Sequence, residues 1–152
     1  MDSKNNQFPL PPGLFIIAII LEIIANYFWP IIKLIPLPFS YVGIILMIAG
    51  LYLMVWGGKT MRAHRTTVEF RKNPTTLITA SPFSFSRNPG YLGQLFLVLG
   101  VAVLLGSLSP LSIALIDFLI LDRMVLPIEE EGLEKTFGDR YLEYKRSVRR
   151  WI

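Results

Sequence analysis

A chain of 152 residues has length for one domain, and 53% of its residues are hydrophobic against 17% charged, with a mean hydropathy of +0.51. One small core cannot bury so many apolar residues, so this balance excludes an ordinary soluble protein, and it excludes intrinsic disorder as well. The lack of cysteine excludes disulfides, thiolate metal sites and a cysteine nucleophile, and the single histidine, His64, excludes a metal centre built from imidazoles.

In chain order, Leu14 to Ile35 is the first apolar run, long enough to cross a hydrocarbon core of ~30 Å, with Pro30 tolerated as a kink. Lys4 is the one basic residue before it, Glu22 interrupts it and no small-residue cleavage site follows, so it reads as a retained span and not a signal peptide. After Ile35-Pro36-Leu37-Pro38 a second run extends from Tyr41 to Trp56. A third opens at Pro89, a favoured first helical residue, and reaches Leu108. The fourth, Leu111 to Leu126, is short for a full crossing, which leaves open a tilted or partly re-entrant hairpin around Gly106-Ser107-Leu108-Ser109-Pro110.

Charge in the connections predicts the orientation. Lys59, Arg62, Arg65, Arg71, Lys72 and Arg87 fall between Gly57 and Asn88, and Lys135, Arg140, Lys145, Arg146, Arg149 and Arg150 follow Leu126. The opposing connections hold Lys33 in one case and no basic residue in the other. Cytoplasmic loops retain positive charge. The expected fold class is therefore all-α: an integral membrane helical bundle of about four transmembrane helices, both termini cytoplasmic, with cytoplasmic amphipathic helices at the C-terminus. A net charge of +4 then belongs to the electrostatics of the cytoplasmic leaflet, and the sequence carries no nucleic-acid module.

Gly43, Gly50 and Gly57 recur every seven residues in the second run, as do Gly93, Gly100 and Ser107 in the third. Small residues on one helical face let backbones approach, so these stripes are expected to pack helices and not to bind ligand. Glu22 and Asn26 share a face of the first run, and Asp117 lies within the fourth. Ionisable groups at such depth point either to a cavity or polar partner, or to an interfacial or protonated carboxyl.

Two polar segments are positioned to carry chemistry. The stretch from Thr66 to Gly93 is polar and aromatic without helical periodicity, and structureless loops of this length are commonly functional. It ends at Asn88-Pro89-Gly90-Tyr91, where the free N–H groups of a helix start sit beside Arg87, a setting that suits an anionic ligand. The second segment runs from Asp122-Arg123 through Pro127-Ile128-Glu129-Glu130-Glu131-Gly132-Leu133. Three glutamates at a helix start are favoured by the macrodipole, and one of them could also hold ribose hydroxyls or a cationic amine. Leu133, Phe137, Tyr141, Tyr144, Val148 and Trp151 form an amphipathic stripe that Gly138-Asp139 is expected to break into two helices. The basic end, Lys145 to Trp151, suits an interfacial anchor on anionic lipid.

Taken together, Leu77-Ile78-Thr79-Ala80-Ser81-Pro82-Phe83, Ser86-Arg87-Asn88-Pro89-Gly90-Tyr91-Leu92-Gly93, the glutamate run before Leu133, Phe137-Gly138-Asp139-Arg140-Tyr141 and the ending Val148-Arg149-Arg150-Trp151-Ile152 resemble the isoprenylcysteine carboxyl methyltransferase family. That family overlaps the wider phospholipid methyltransferase-like group of integral membrane enzymes. The resemblance implies S-adenosylmethionine-dependent methyl transfer to a lipophilic acceptor that enters from the bilayer, in a pocket made by the cytoplasmic loop and the C-terminal helices. By position it implies that Thr75, Thr76, Leu77, Ile78, Phe83, Asn88, Pro89, Gly90, Tyr91 and Glu130 bind the cofactor. Asn88 stands where the family often has His, and Val125 and Leu126 stand where eukaryotic protein carboxyl methyltransferases have a substrate-facing Arg; Arg123 is the nearest substitute.

Methyl transfer from a sulfonium needs no metal; it is accelerated by holding donor and acceptor close and excluding water. A carboxylate acceptor needs only an Arg to orient it, for which Arg87 and Arg123 are the candidates, whereas an amine acceptor must be neutral, for which Glu129 is the candidate base. Both acceptors stay open at this level. So do two other readings: a dinucleotide-dependent membrane reductase of sterol-reductase type, with Arg62, Arg65, Arg71 and Lys72 as its phosphate cluster, and a non-enzymatic helical membrane subunit.

Overall fold

In the computed structural model, residues 11–64 and 75–152 are described, and among them every regular element is helical. Lys4, Arg65, Arg71, Lys72 and the first part of the polar loop, Thr66 to Pro74, lie outside the described residues.

Helix α1 spans Pro11–Phe28. The apolar run predicted to continue to Ile35 leaves the helix at Phe28, because Pro30 has no N–H to donate and disfavours helical geometry at Trp29. The chain then runs along the far end of the bundle, where Leu34 and Ile35 donate to the Gly106 carbonyl at 2.8 and 2.9 Å and Leu108 donates to Ile32 at 2.9 Å. Lys33 and Ser107 form an isolated bridge there.

After a 3-10 turn at Phe39–Tyr41, α2 spans Val42–Ala63 and passes Trp56, where the sequence signal stopped at Gly57-Gly58. Packing overrides the poor helix propensity of those glycines. Helix α3 spans Pro89–Leu105 and closes on Gly106, whose φ of +73° suits a residue without a side chain. Helices α2 and α3 meet backbone to backbone: a Cβ on Gly50 would stand 2.5 Å from the Gly93 carbonyl oxygen, and one on Gly100 would stand 2.7 Å from that of Gly43. The glycines of the two stripes therefore form a helix–helix seam, while Ser107, expected on the second stripe, falls beyond the end of α3 at the start of α4.

Helix α4 spans Leu108–Ile120, starting one turn earlier than the apolar run suggests, since Pro110 is accommodated in a first turn. It passes without a break into a π turn, Leu121–Val125, and on into α5, Leu126–Phe137. No spacing or residue type in this stretch predicts that turn. Gly138, at φ +55°, ends α5, and α6 follows over Asp139–Ser147, so the amphipathic stripe does divide at Gly138. Ala18 of α1, Val98 and Ala102 of α3 and Ala114 of α4 form a buried core, with Phe15, Ile19, Leu111 and Ile113 packed against it.

Within that three-helix interior Glu22, Gln94 and Asp117 are buried, and oxygens of each find no hydrogen-bond partner among the described residues. Asn26, one turn on from Glu22 on the same face of α1 as expected, accepts from the Ser107 hydroxyl at 2.5 Å. Large apolar side chains cover the outside: Ile16, Ile20 and Ile23 on α1, Ile45, Ile48 and Leu51 on α2, Leu115 and Leu119 on α4. One helical stretch among the described residues, Phe39–Ala63, is long and apolar enough to cross a membrane, at mean hydropathy 2.0; Gly13–Phe28 and Pro89–Leu105 are shorter apolar helices.

Candidate functional site

The start of α3, the π turn, α5 and the C-terminal segment converge at the end of the bundle opposite the Lys33–Ser107 bridge. At their centre is Glu130, whose carboxylate is buried. Its Oε1 accepts from Arg150 Nε at 2.9 Å and lies 3.1 Å from Arg87 Nη2, while Oε2 accepts from Arg150 Nη2 at 2.8 Å. Lys145 stands 3.9 Å off. A carboxylate can be buried this deeply when opposite charge and hydrogen bonds replace its water.

The third nitrogen of Arg150 donates to the Asp122 side chain at 3.0 Å and to the Asp122 carbonyl at 3.1 Å. Asp122 also accepts from Trp151 Nε1 at 3.0 Å. The π turn explains how one guanidinium reaches both acids. Eight residues at 3.6 per turn would leave Asp122 and Glu130 about 80° apart around the axis, and the extra residue taken up by a π turn closes most of that gap.

The last residues lie across the loop that leads into α3. Arg87 N–H donates to the Arg149 carbonyl at 3.0 Å, and the Arg150 carbonyl accepts from Ser86 Oγ at 3.3 Å and from Asn88 Nδ2 at 3.2 Å. Tyr144 donates to the Phe83 carbonyl at 2.6 Å, and Phe85 packs 6.1 Å from the Trp56 ring of α2. These contacts leave the Arg87 side chain 9% exposed. Beyond its contact with Glu130, its Nε and Nη1 are buried with no partner among the described residues.

Tyr91 on the first turn of α3 donates to Glu129 Oε1 at 2.7 Å. Burial pushes the Glu129 carboxyl above its ordinary value, against the opposing hydrogen bond from Tyr91. Burial also raises the Tyr141 hydroxyl to about 12, with Glu130 adding to the rise and Arg87 opposing it. Arg150 is held above its usual range first by its hydrogen bonds to Glu130.

Of the residues singled out from sequence, Arg87, Asn88, Pro89, Gly90, Tyr91, Glu129 and Glu130 lie at this end together. Ile78 is buried, Leu77 and Phe83 are half-buried, and Thr75 and Thr76 are exposed on the approach to the loop. Arg123 does not join them: its side chain is 78% exposed and its Nε pairs with Asp122 at 3.3 Å. Asp122, Arg150 and Trp151 were not legible as site residues. Arg150 read as part of a lipid anchor, yet its guanidinium turns inward.

The fold and site define a helical protein with an apolar exterior and a buried ion cluster at one end. A family model described as phospholipid methyltransferase matches residues 39–140, and the chain belongs to that family. A protein-S-isoprenylcysteine O-methyltransferase of Saccharomyces cerevisiae is 28% identical over 151 residues, which cover 86% of this chain and 58% of that protein. The human protein-S-isoprenylcysteine O-methyltransferase is 30% identical over 135 residues, covering 82% of this chain and 44% of its own. A solved structure of the eukaryotic intramembrane Ras methyltransferase, isoprenylcysteine carboxyl methyltransferase, shares the fold at a TM-score of 0.59 and 22% identity, over 97% of this chain and 52% of that one. The chain thus spans about half the length of the relatives it matches. The resemblance carried by the ordered motifs is borne out.

Proposed function

We propose that this chain is a multi-pass membrane protein that catalyses S-adenosylmethionine-dependent methyl transfer to a lipophilic acceptor at the cytoplasmic membrane surface, and that the acceptor group is a carboxylate of the isoprenylcysteine type. The observation that carries this reading is Arg87: a buried guanidinium whose Nε and Nη1 have no partner among the described residues, beside a helix start, suits an anion. The names and methyltransferase activity of the relatives support it.

The residues present fit the cofactor. Its amino-acid carboxylate matches the cationic side of the cluster, its ribose hydroxyls match a carboxylate such as Glu130, and the loop from Thr75 to Ile78, Phe83 and the Asn88 to Tyr91 turn offers backbone and aromatic surface for the rest. The chemistry it supplies when bound is an electrophilic methyl group on sulfur. The chain contributes placement: Arg87 orients a carboxylate, Tyr91 fixes Glu129, and the strapped loop excludes water.

Titrating detergent-purified protein with S-adenosylhomocysteine tests the reading, since a specific ligand raises the unfolding midpoint by mass action. Binding, followed by transfer of labelled methyl from S-adenosylmethionine into a base-labile ester of a prenylcysteine analogue, is expected. No midpoint shift at millimolar S-adenosylhomocysteine would overturn it. Base-stable label in a lipid amine would replace the carboxylate by an amine as acceptor, with Glu129 as its base.

A further inference from the structure

We propose that Arg150 is a positioning residue for this site: by taking both carboxylate oxygens of Glu130 it keeps Arg87 from pairing fully with that carboxylate, and so holds the Arg87 guanidinium open for an anionic ligand. The inference deepens the methyl-transfer reading and rests on it for the identity of that ligand.

The geometry is unequal in a telling way. Arg150 meets Glu130 through a two-pronged contact, Nε to Oε1 at 2.9 Å and Nη2 to Oε2 at 2.8 Å, whereas Arg87 touches the same carboxylate through Nη2 alone at 3.1 Å. A carboxylate facing one buried arginine takes it in a parallel fork, which is the strongest pairing available. With Arg150 in place, that fork is already filled. Arg87 is left with Nε and Nη1 without a partner among the described residues, in a site where unpaired donors are costly, and a bound anion removes that cost.

Arg150 is itself located by three other contacts. Its Nη1 is held by Asp122, its carbonyl accepts from Ser86 and Asn88, and the neighbouring Trp151 pairs with the same Asp122 oxygen and packs at a tilt against Phe118, ring centres 5.7 Å apart. The guanidinium therefore ties the π turn to α5, while its backbone ties both to the residues flanking Arg87. A lysine keeps the charge but offers a single ammonium, which cannot fork onto Glu130 and reach Asp122 at once.

Two measurements on the full chain in detergent test this. The first needs no ligand: thermal midpoints of R150A, E130Q and the double variant. Strong non-additivity is expected, with the double variant melting no lower than the worse single; additive shifts would overturn the pairing. The second uses as probe a prenylcysteine analogue with a free carboxylate, the anion that the proposed function assigns to Arg87. R150K should bind at least about tenfold more weakly than wild type, and R150A more weakly still, with millimolar guanidinium restoring part of the loss in R150A. Wild-type affinity in R150K, or a loss in R150A that guanidinium does not touch, would overturn the positioning role. Failure of the wild type to bind the probe would overturn the carboxylate acceptor of the proposed function, while the ligand-free cycle still decides the Arg150–Glu130 pairing.

Discussion

Arg87 and Glu129 sit one helical turn or less from the start of α3 and α5; the Arg87 side chain is buried with two nitrogens that have no partner among the described residues, and Glu129 is half-buried and accepts from Tyr91. For Arg87 the consequence of the proposed function is specificity for a planar anion. Arg87→Lys keeps a cation near Glu130 but loses the free guanidinium edge, so methyl transfer should fall by about 100-fold while the unfolding midpoint moves little; comparing both in one preparation checks it. For Glu129 the consequence is a pH dependence. Because burial raises its folded-state value above the ordinary 4.5, the native form keeps its proton where the unfolded chain has lost it. Its contribution to stability is thus fully present below pH 4.5 and is lost as pH rises through the folded value. Glu129→Gln should remove that part of the slope, so midpoints of wild type and variant plotted against pH should diverge above pH 4.5, with the wild type falling faster.

At the level of elements, the α2–α3 seam brings carbonyl oxygens against the opposing glycines, with the Met47 and Met54 side chains laid over Gly100 and Gly93. Gly50→Ala places a Cβ 2.5 Å from the Gly93 oxygen, a backbone atom that cannot step aside, and overpacking of this kind costs about 1–3 kcal/mol. Gly58, on the same helix, has nothing within 4 Å of its would-be Cβ, so Gly58→Ala should be neutral or stabilise by up to about 1 kcal/mol through helix propensity. Thermal unfolding of the two variants side by side distinguishes a packing seam from a general intolerance of substitution. The seam was readable because a seven-residue spacing keeps glycines on one face. The Asp122–Glu130 apposition was not, because an α-helical count places those residues on different faces and no residue type announces a π turn.

For the whole molecule, the lack of cysteine makes topology directly measurable, since any thiol introduced is the only one. Leu37 lies at the bridge end of the bundle and is 61% exposed, and Thr79 lies in the exposed approach to the site. With an impermeant maleimide on intact cells, Leu37→Cys should label and Thr79→Cys should label only after lysis; the reverse pattern would invert the proposed orientation. The all-helical class was legible from runs of apolar residues, and the site's neighbourhood from the ordered motifs around Arg87 and Glu130. The C-terminal strap was hidden for a physical reason. Arg149, Arg150 and Trp151 have the composition of a membrane anchor, and only their distance in space from Asp122 and Glu130, twenty residues or more away in sequence, separates the two roles.

The π turn also sets how this protein tolerates changes in length. Leu108 to Phe137 is one unbroken rod, and its π turn takes up one residue more than ordinary α geometry. Removing a single codon between Leu121 and Val125 would let the turn relax to α geometry, and everything downstream would keep nearly the same face, because the residue lost is the one the turn had absorbed. Adding one residue between the turn and Glu129 would instead swing everything downstream by about 100° around the axis relative to α1, α2 and α3. Glu129 and Glu130 would then leave the site together, and the helix would stay well formed. A deletion within the turn should accordingly keep the proposed activity, while the insertion after it should yield protein that accumulates yet lacks activity, which marks this segment as the place where reading length, and not composition, governs function.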